Sequence, residues 1–287
     1  MTAREWLRKY TSIFQQAGID EAAGEAMALL CHALRLGKVE IFSQPERTLT
    51  GEQLSLLDSL TARRLRREPS SYITEHREFY GLNLFVDPRV LIPRPETEVL
   101  VEAAIEFGRS WVASNLRHML AADIGTGSGA IAIALAAHIP QAQVYAVDIS
   151  PGALDVATLN VRRHGLADRI TPVQGNLLEQ INHKLDLIVA NLPYIPSREL
   201  AGLQPEIYLH EPVLSLDGGD SGTAVIEAML RQAPGRIAPG GALFLEIGAG
   251  QGERLIPIVR DALPGSGIEL VQDLAGIDRC MKVVLMK

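Results

Sequence analysis

The residues best suited to chemistry in this chain stand in two short runs. The first is Ala122-Asp123-Ile124-Gly125-Thr126-Gly127-Ser128-Gly129-Ala130. Glycine lets a backbone turn tightly and come close to a ligand with no side chain in the way. The run lies between an expected strand (119–123) and an expected helix (128–138). In open α/β sheets that junction, at the carboxyl end of a strand, is where ligands bind. Asp148 follows Gly125 by 23 residues, at the end of the next expected strand, where a carboxylate can accept hydrogen bonds from both ribose hydroxyls. The loop also satisfies the dinucleotide pattern, with Ala130 in the third small position. By itself it therefore admits a dinucleotide or S-adenosylmethionine. Asp123 favours the second, because a carboxylate two residues before the first glycine suits the cationic amino group of a methionine moiety and repels a pyrophosphate. A glycine turn without a ligand is the plain alternative, against which the strand–loop–helix setting and Asp148 both argue.

The second run is Asn191-Leu192-Pro193-Tyr194, which ends the apolar strand 185–190. It is expected on the same sheet edge as the glycine loop. The Asn191 side chain offers a carbonyl that can accept an N–H, and the Leu192 backbone carbonyl offers a second acceptor. Pro193 fixes the local backbone and removes a donor, and Tyr194 offers an aromatic face to a planar amide or base. Such a set can hold both hydrogens of an –NH2 group and aim its nitrogen at a methyl sulfonium. Acceptors fixed where positive charge develops stabilise the transition state, and a fixed approach adds a proximity term. No metal or strong base is required. A strand-ending turn with Tyr194 in the core is the structural alternative.

These runs need a sheet to carry them. Up to residue 73 the pattern is helical. Thr2 with Glu5 and Thr50 with Gln53 read as capping boxes, Asp20 as a helix cap, and Pro69 as a helix stop. Turn signals at Gly81-Leu82-Asn83 and Asp87-Pro88 suggest a hairpin within 79–92, and Pro93-Arg94-Pro95 a stiff connector. Helices and strands then alternate: helix 96–114, strand 119–123, helix 128–138, strand 143–148, helix 151–164, strands 170–173 and 185–190, helix 223–237, strand 242–247, helix 251–262, and strands near 268–272 and 281–286. Strands as apolar as Leu187-Ile188-Val189-Ala190 are expected to be buried on both faces, in a mostly parallel sheet with helices on each side. The expected division is a helical domain at 1–73, a hairpin linker at 74–95 and an α/β domain at 96–287.

Composition excludes several classes. Hydrophobic residues make up 47% of the chain and charged residues 21%, the balance of a folded protein. The net charge of −7 disfavours strong nucleic-acid binding, which draws its affinity from phosphate contacts. Only Cys31 and Cys280 are present, too far apart for a zinc ribbon or a disulfide framework, so a reducing cytoplasm is expected. The histidines show no metal-ligand spacing, and no apolar stretch is long enough for a membrane span. Arg63, Arg64, Arg66 and Arg67 read as a solvated basic face, with partner binding as the alternative. Gly248-Ala249-Gly250-Gln251-Gly252 reads as a strand-to-helix turn, and His210-Glu211 as part of a loop shaping an entrance.

Taken together, the glycine loop, Asp148 and Asn191–Tyr194 resemble a class I S-adenosylmethionine-dependent methyltransferase acting on a planar nitrogen. The stretch Val90-Leu91-Ile92-Pro93-Arg94-Pro95-Glu96-Thr97-Glu98 is more specific. It resembles the PrmC/HemK family, the peptide-chain release-factor glutamine N5-methyltransferases, and the resemblance extends over nearly the whole chain. It implies a Rossmann-like seven-stranded α/β fold with a small N-terminal helical substrate-recognition domain and a connecting β-hairpin. It also implies S-adenosylmethionine as methyl donor, S-adenosylhomocysteine as product, and no metal. The substrate would be the Gly-Gly-Gln glutamine of class I release factors, with no membrane partner. Cofactor contact is carried onto Gly125, Thr126, Gly127, Ser128, Gly129, Asp148, Asn176 and Asn191, beside Asp123. Substrate recognition and catalysis are carried onto Asn191, Leu192, Pro193 and Tyr194. The family usually has proline where this chain has Leu192, and often aspartate where it has Asn176. Asn-Leu-Pro-Tyr also occurs in rRNA adenine dimethyltransferases, which lack the proline-rich connector. A sibling group acting on a ribosomal-protein glutamine has Pro-Arg-Ser-Pro where this chain has Pro93-Arg94-Pro95-Glu96.

Overall fold

The computed structural model describes residues 1–286 and divides them into two units. The first comprises Met1–His76 together with Gln204–His210, and the second comprises Arg77–Leu203 and Glu211 onward.

The first unit is helical: α1 (Ala3–Gln16), α2 (Ala22–Leu34), α3 (Lys38–Ser43), α4 (Gly51–Leu65) and α5 (Ser70–Thr74). Both expected capping boxes form, so exposed backbone donors at the starts of α1 and α4 find side-chain acceptors. Asp20 does not cap α2. The N-cap is Glu21 in the left-handed region, with no side-chain cap bond, and Asp20 instead accepts from Gln204. Trp6, Phe14, Leu29, Leu30 and Leu57 are fully buried and form the unit's core.

Of the basic run, Arg66 is exposed as expected, whereas Arg63, Arg64 and Arg67 are paired. Arg64 is 3% exposed and donates to Glu25 and Glu206, at 2.5 and 2.9 Å. Arg67 donates to Glu206 and to the carbonyls of Ala17 and Gly18, while Arg63 pairs with Glu68. These pairs join the short helix α9 (Pro205–His210) to this unit, although it lies far along the chain. A helical spacing of arginines does not reveal carboxylates 39 and 142 residues away.

The second unit opens with a hairpin of β1 (Arg77–Phe79) and β2 (Leu82–Leu84). Its turn is Tyr80-Gly81, both at positive φ, slightly earlier than the Gly81–Asn83 signal suggested. Asp87-Pro88 belongs to a separate turn in which Asp87 holds the Arg89 guanidinium. The sheet that follows has seven strands: β3 (Met119–Ile124), β4 (Ala142–Asp148), β5 (Ile170–Gln174), β6 (Leu185–Ala190), β7 (Ile237–Glu246), β8 (Gly267–Gln272) and β9 (Asp278–Val284). Their order is β5-β4-β3-β6-β7-β9-β8. All pairings are parallel except those of β9, which runs antiparallel to both neighbours. The helices are α6 (Thr97–Asn115), α7 (Ala130–His138), α8 (Pro151–Arg163), α10 (Ala224–Gln232) and α11 (Gly252–Ala262).

Two features of this unit position the site. α7 is buried from Ala130 through Ala136, which fits its all-apolar sequence, since a helix without a polar face belongs inside. The chain order reverses direction at β3, where β4 lies on one side and β6 on the other. Ligands bind at such switch points, beyond the carboxyl ends of the strands. The expected helix over 223–237 is shorter, because Pro234 cannot continue it and Ile237 already pairs with Leu185.

Candidate active site

The three strands at the switch point end in the residues singled out by the sequence. β3 runs into the glycine loop, β4 ends at Asp148, and β6 leads directly into Asn191. Their carboxyl ends border one cavity of about 550 Å³. Gly125, Gly127, Asp148, Asn176, Asn191, Leu192 and Pro193 all line it, together with Leu91, Ile149, Leu177 and the turn Pro212–Ser215. That volume lies within the range of small-molecule sites.

Local geometry explains the glycines. Gly125 has φ +75°, and a β-carbon there would stand 3.1 Å from the Leu192 side chain. Gly127 has φ +54° and donates its N–H to Asp148 Oδ2 at 2.9 Å. The other carboxylate oxygen of Asp148 accepts from Ser150 N, also at 2.9 Å. Ile149 N–H adds a third backbone contact, so the carboxylate is fixed in direction from the backbone side. Burial pushes the Asp148 carboxyl up, against the lowering effect of these donors. Asn176 donates its Nδ2 to Glu179, which leaves its side-chain carbonyl as the acceptor beside the cavity.

Several of the expected site residues do not line the cavity. Asp123 is fully buried, and its Oδ2 accepts from Thr126 Oγ1 at 2.6 Å and from Ala132 N at 3.0 Å. Burial drives its carboxyl up to about 7. It clamps β3, the glycine loop and α7 through Oδ2, while Oδ1 is buried without a partner among the described residues. Thr126, Ser128 and Gly129 likewise shape the loop from beneath, outside the lining. Tyr194 is also outside it. Its hydroxyl donates to Glu246 Oε1 at 3.2 Å, and burial raises its pKa. Its ring packs against the apolar cluster that includes Leu192 and Ile247.

Asn191 and Leu192 form the polar corner. Asn191 Nδ2 donates to Thr97 Oγ1 at 3.0 Å, which leaves Oδ1 as the side chain's acceptor. Among the described residues no donor reaches the Leu192 carbonyl. The Leu192 side chain is buried over Gly125, so leucine in this position packs while the backbone acceptor is retained.

Residues that the local pattern does not reveal hold the frame. Asn160, fully buried in α8, accepts from Phe85 N and donates to the carbonyls of Phe85 and Ser128. It joins the hairpin's exit to the glycine loop. The connector is tied at four points: Pro93 O to Arg77, Arg94 to Glu211 at 2.6 Å, Thr97 to Asn191, and Glu98 to Tyr80 N. Glu211 is the buried ion-pair partner of Arg94. A buried Glu or Asn aligned with a distant partner leaves no mark in hydrophobic periodicity. Gly248–Gly252 forms the turn from β7 into α11 and does not line the cavity. Among the described residues no His, Cys, Asp or Glu cluster could hold a metal ion, and no helix is long and apolar enough to cross a membrane.

Comparison with known proteins agrees with this architecture. Residues 5–74 match the family described as the PrmC N-terminal domain, and residues 96–202 match the methyltransferase small domain. The release factor glutamine methyltransferase of Moorella thermoacetica is 40% identical over 98% of this chain and 97% of its own length. That of Geobacter sulfurreducens is 41% identical over 88% of this chain and 85% of its own. The hMettl16 catalytic domain, solved with a MAT2A 3'UTR hairpin, shares the fold with a TM-score of 0.57 at 18% identity, over 78% of this chain and 82% of that one. The ribosomal protein L11 methylase of Lactobacillus delbrueckii does so with a TM-score of 0.51 at 20% identity, over 70% of this chain and 84% of that one. With both domain families matched in order and full-length relatives well above 30% identity, this chain belongs to the release factor glutamine methyltransferase family.

Proposed function

We propose that this protein transfers a methyl group from S-adenosylmethionine to the side-chain N5 of the glutamine in the Gly-Gly-Gln motif of class I peptide-chain release factors. The observation that carries this reading is the shared cavity. It joins an acidic ribose acceptor, Asp148, to a pair of amide acceptors, Asn191 Oδ1 and the Leu192 carbonyl.

The residues present fit the methyl donor. Asp148, its direction fixed by backbone donors, lines the cavity as an acceptor for ribose hydroxyls. The Asn176 carbonyl suits an adenine amino group, and the side chains of Ile149 and Leu177 give its ring apolar walls. Gly125 and Gly127 allow close backbone approach. When bound there, S-adenosylmethionine supplies an electrophilic methyl on a sulfonium.

The chain's own groups do the rest. An amide nitrogen is a poor nucleophile because its lone pair is delocalised into the carbonyl. Asn191 Oδ1 and the Leu192 carbonyl each accept one N–H of the substrate amide, which fixes the nitrogen's direction. As positive charge develops on that nitrogen, two fixed acceptors stabilise it without reorganising. Pro193 holds the turn that presents them. The methylated nitrogen is strongly acidic before it loses its proton, so water suffices to take it and no buried base is needed.

The test is methyl transfer read by intact and peptide mass spectrometry. An unmodified class I release factor and, in parallel, rRNA or DNA are offered with S-adenosylmethionine. One added methyl on the Gly-Gly-Gln glutamine is expected. Methylation of nucleic acid instead, or of neither, overturns the proposal.

A further inference from the structure

We infer that Gln251 is a positioning residue: it pins the backbone leaving the Asn191–Tyr194 run and so fixes the direction of the Leu192 carbonyl. The inference rests on the reading of that carbonyl as an acceptor for the substrate amide. It gives the second glycine run, Gly248–Gly252, a part in the reaction although the run lies outside the cavity.

A main-chain carbonyl points where the torsions around it send it. Among the described residues no donor holds the Leu192 carbonyl, so its neighbours must. On one side Asn191 is held through Nδ2 by Thr97 at 3.0 Å. Next, the Pro193 ring fixes its own φ. Beyond it, the Tyr194 carbonyl accepts from Gln251 Nε2 at 2.8 Å. Ile195 then makes backbone bonds to Leu216 and Gly218, at 3.1 and 2.8 Å. Among the described residues no other donor reaches the Tyr194 carbonyl, so without Gln251 the first fixed point after Pro193 is lost.

Both ends of the Gln251 amide are committed by partners of fixed sense. Gly248 N–H, which can only donate, reaches Oε1 at 2.8 Å. Nε2 faces two carbonyls, which can only accept: Tyr194 at 2.8 Å and Gly222 at 3.4 Å. The Gln251 N–H also donates to the Gly248 carbonyl at 3.1 Å, which closes the turn into α11. Gln251 is the N-cap of that helix, yet its side chain makes no capping bond. It reaches across to the active-site turn instead. Glycine leaves the room for this. A β-carbon at Gly222 would stand 2.5 Å from the Tyr194 carbonyl oxygen and 2.9 Å from Gln251 Nε2, and one at Gly248 would stand 3.1 Å from Gln251 Oε1. A plain strand-to-helix turn needs only a flexible backbone. This one adds a side chain that ends on the Asn191–Tyr194 run.

The experiment compares wild type, Gln251→Glu and Gln251→Met below the Tm of each. It reads kcat and KM on an unmodified release factor, with S-adenosylmethionine affinity by calorimetry. Gln251→Glu keeps an acceptor for Gly248 and removes the NH2, whereas Gln251→Met keeps the length and removes both bonds. We expect kcat about tenfold lower or worse in both, with KM and S-adenosylmethionine affinity within about twofold, because a displaced acceptor costs rate rather than docking. If either variant fails to fold, Gln251→Asn replaces it with the same expectation, being one methylene too short to reach Gly248 and Tyr194 together. Wild-type kcat in Gln251→Glu overturns the inference even where Gln251→Met is slow, since the bond to Gly248 would then suffice. A lowered Tm with unchanged kcat overturns it too, as does cofactor affinity that falls as far as kcat. A wild-type enzyme that leaves the glutamine unmethylated is a different result, and refutes the functional reading beneath it.

Discussion

At the scale of single residues, the site depends on what each polar atom has left to offer once its structural bonds are made. Asn191 has its amide nitrogen engaged by Thr97 and its oxygen available. Asn191→Ala should abolish methyl transfer and leave S-adenosylmethionine affinity within a few-fold. Calorimetry beside the mass-spectrometric assay checks this, and an equal loss of both would make Asn191 chiefly a cofactor residue. Asp148 differs in that its backbone bonds fix its direction while it lines the cavity as an acceptor for ribose hydroxyls. Asp148→Ala should weaken S-adenosylmethionine by roughly 1–3 kcal/mol, the range for hydrogen bonds to a charged group. Unchanged affinity in titration calorimetry would refute the assignment. Both residues stood out in the sequence because they end strands beside recognisable runs. Thr97 did not, because its partner, Asn191, lies 94 residues further along.

At the scale of elements, the glycine loop is held as much from beneath as by its own turns. Asp123 clamps it to α7, and Asn160 ties it to the segment leaving the hairpin. Asn160→Leu should destabilise the fold by about 2–4 kcal/mol, since it strands Phe85 N–H, Phe85 C=O and Ser128 C=O in a buried place. Urea denaturation measures the change, and a shift under 1 kcal/mol would show that the three groups find other partners. Strand and helix types were largely readable from periodicity, because buried strands and an all-apolar helix leave continuous runs. The hairpin turn at Tyr80-Gly81 was less readable. Positive φ at a tyrosine follows from the pairing of β1 with β2, not from any preference of the residue.

At the scale of the whole molecule, buried carboxylates set the response to pH. Burial is the first cause of the raised pKa at Asp123, Asp148, Glu211 and Glu246. A carboxyl whose pKa is raised in the fold binds its proton more tightly there than in the unfolded chain. Its contribution is fully present below the ordinary carboxylate range and is lost as pH rises through the folded value. For Asp123 that window runs from about 4 to about 7. Stability should therefore fall between pH 5 and pH 7, by up to about 1.4 kcal/mol per pH unit from this group. Asp123→Asn should flatten the decline in urea titrations at several pH values. A wild-type stability that rises over the same interval would contradict it. Glu206, which Arg64 and Arg67 help hold below the usual range, acts in the opposite sense and only at more acid pH.

Hydrophobic pattern and short motifs were enough to read the class of fold, the strand ends that meet at the switch point, the glycine loop, Asp148 and the Asn191–Tyr194 run. Each of these is written in neighbouring residues, through hydrophobic period, turn chemistry or a short motif. What required the folded chain was the clamp that Asp123 makes on a loop, the bond from Tyr194 to Glu246, the carboxylates held by three arginines of the basic run, and the bond between Thr97 and Asn191. The physical reason is common to all four. A polar side chain's role is set by the partner that satisfies its hydrogen bonds. When that partner comes from a distant part of the chain, or when its competition with solvent depends on burial, nothing in the local sequence records it.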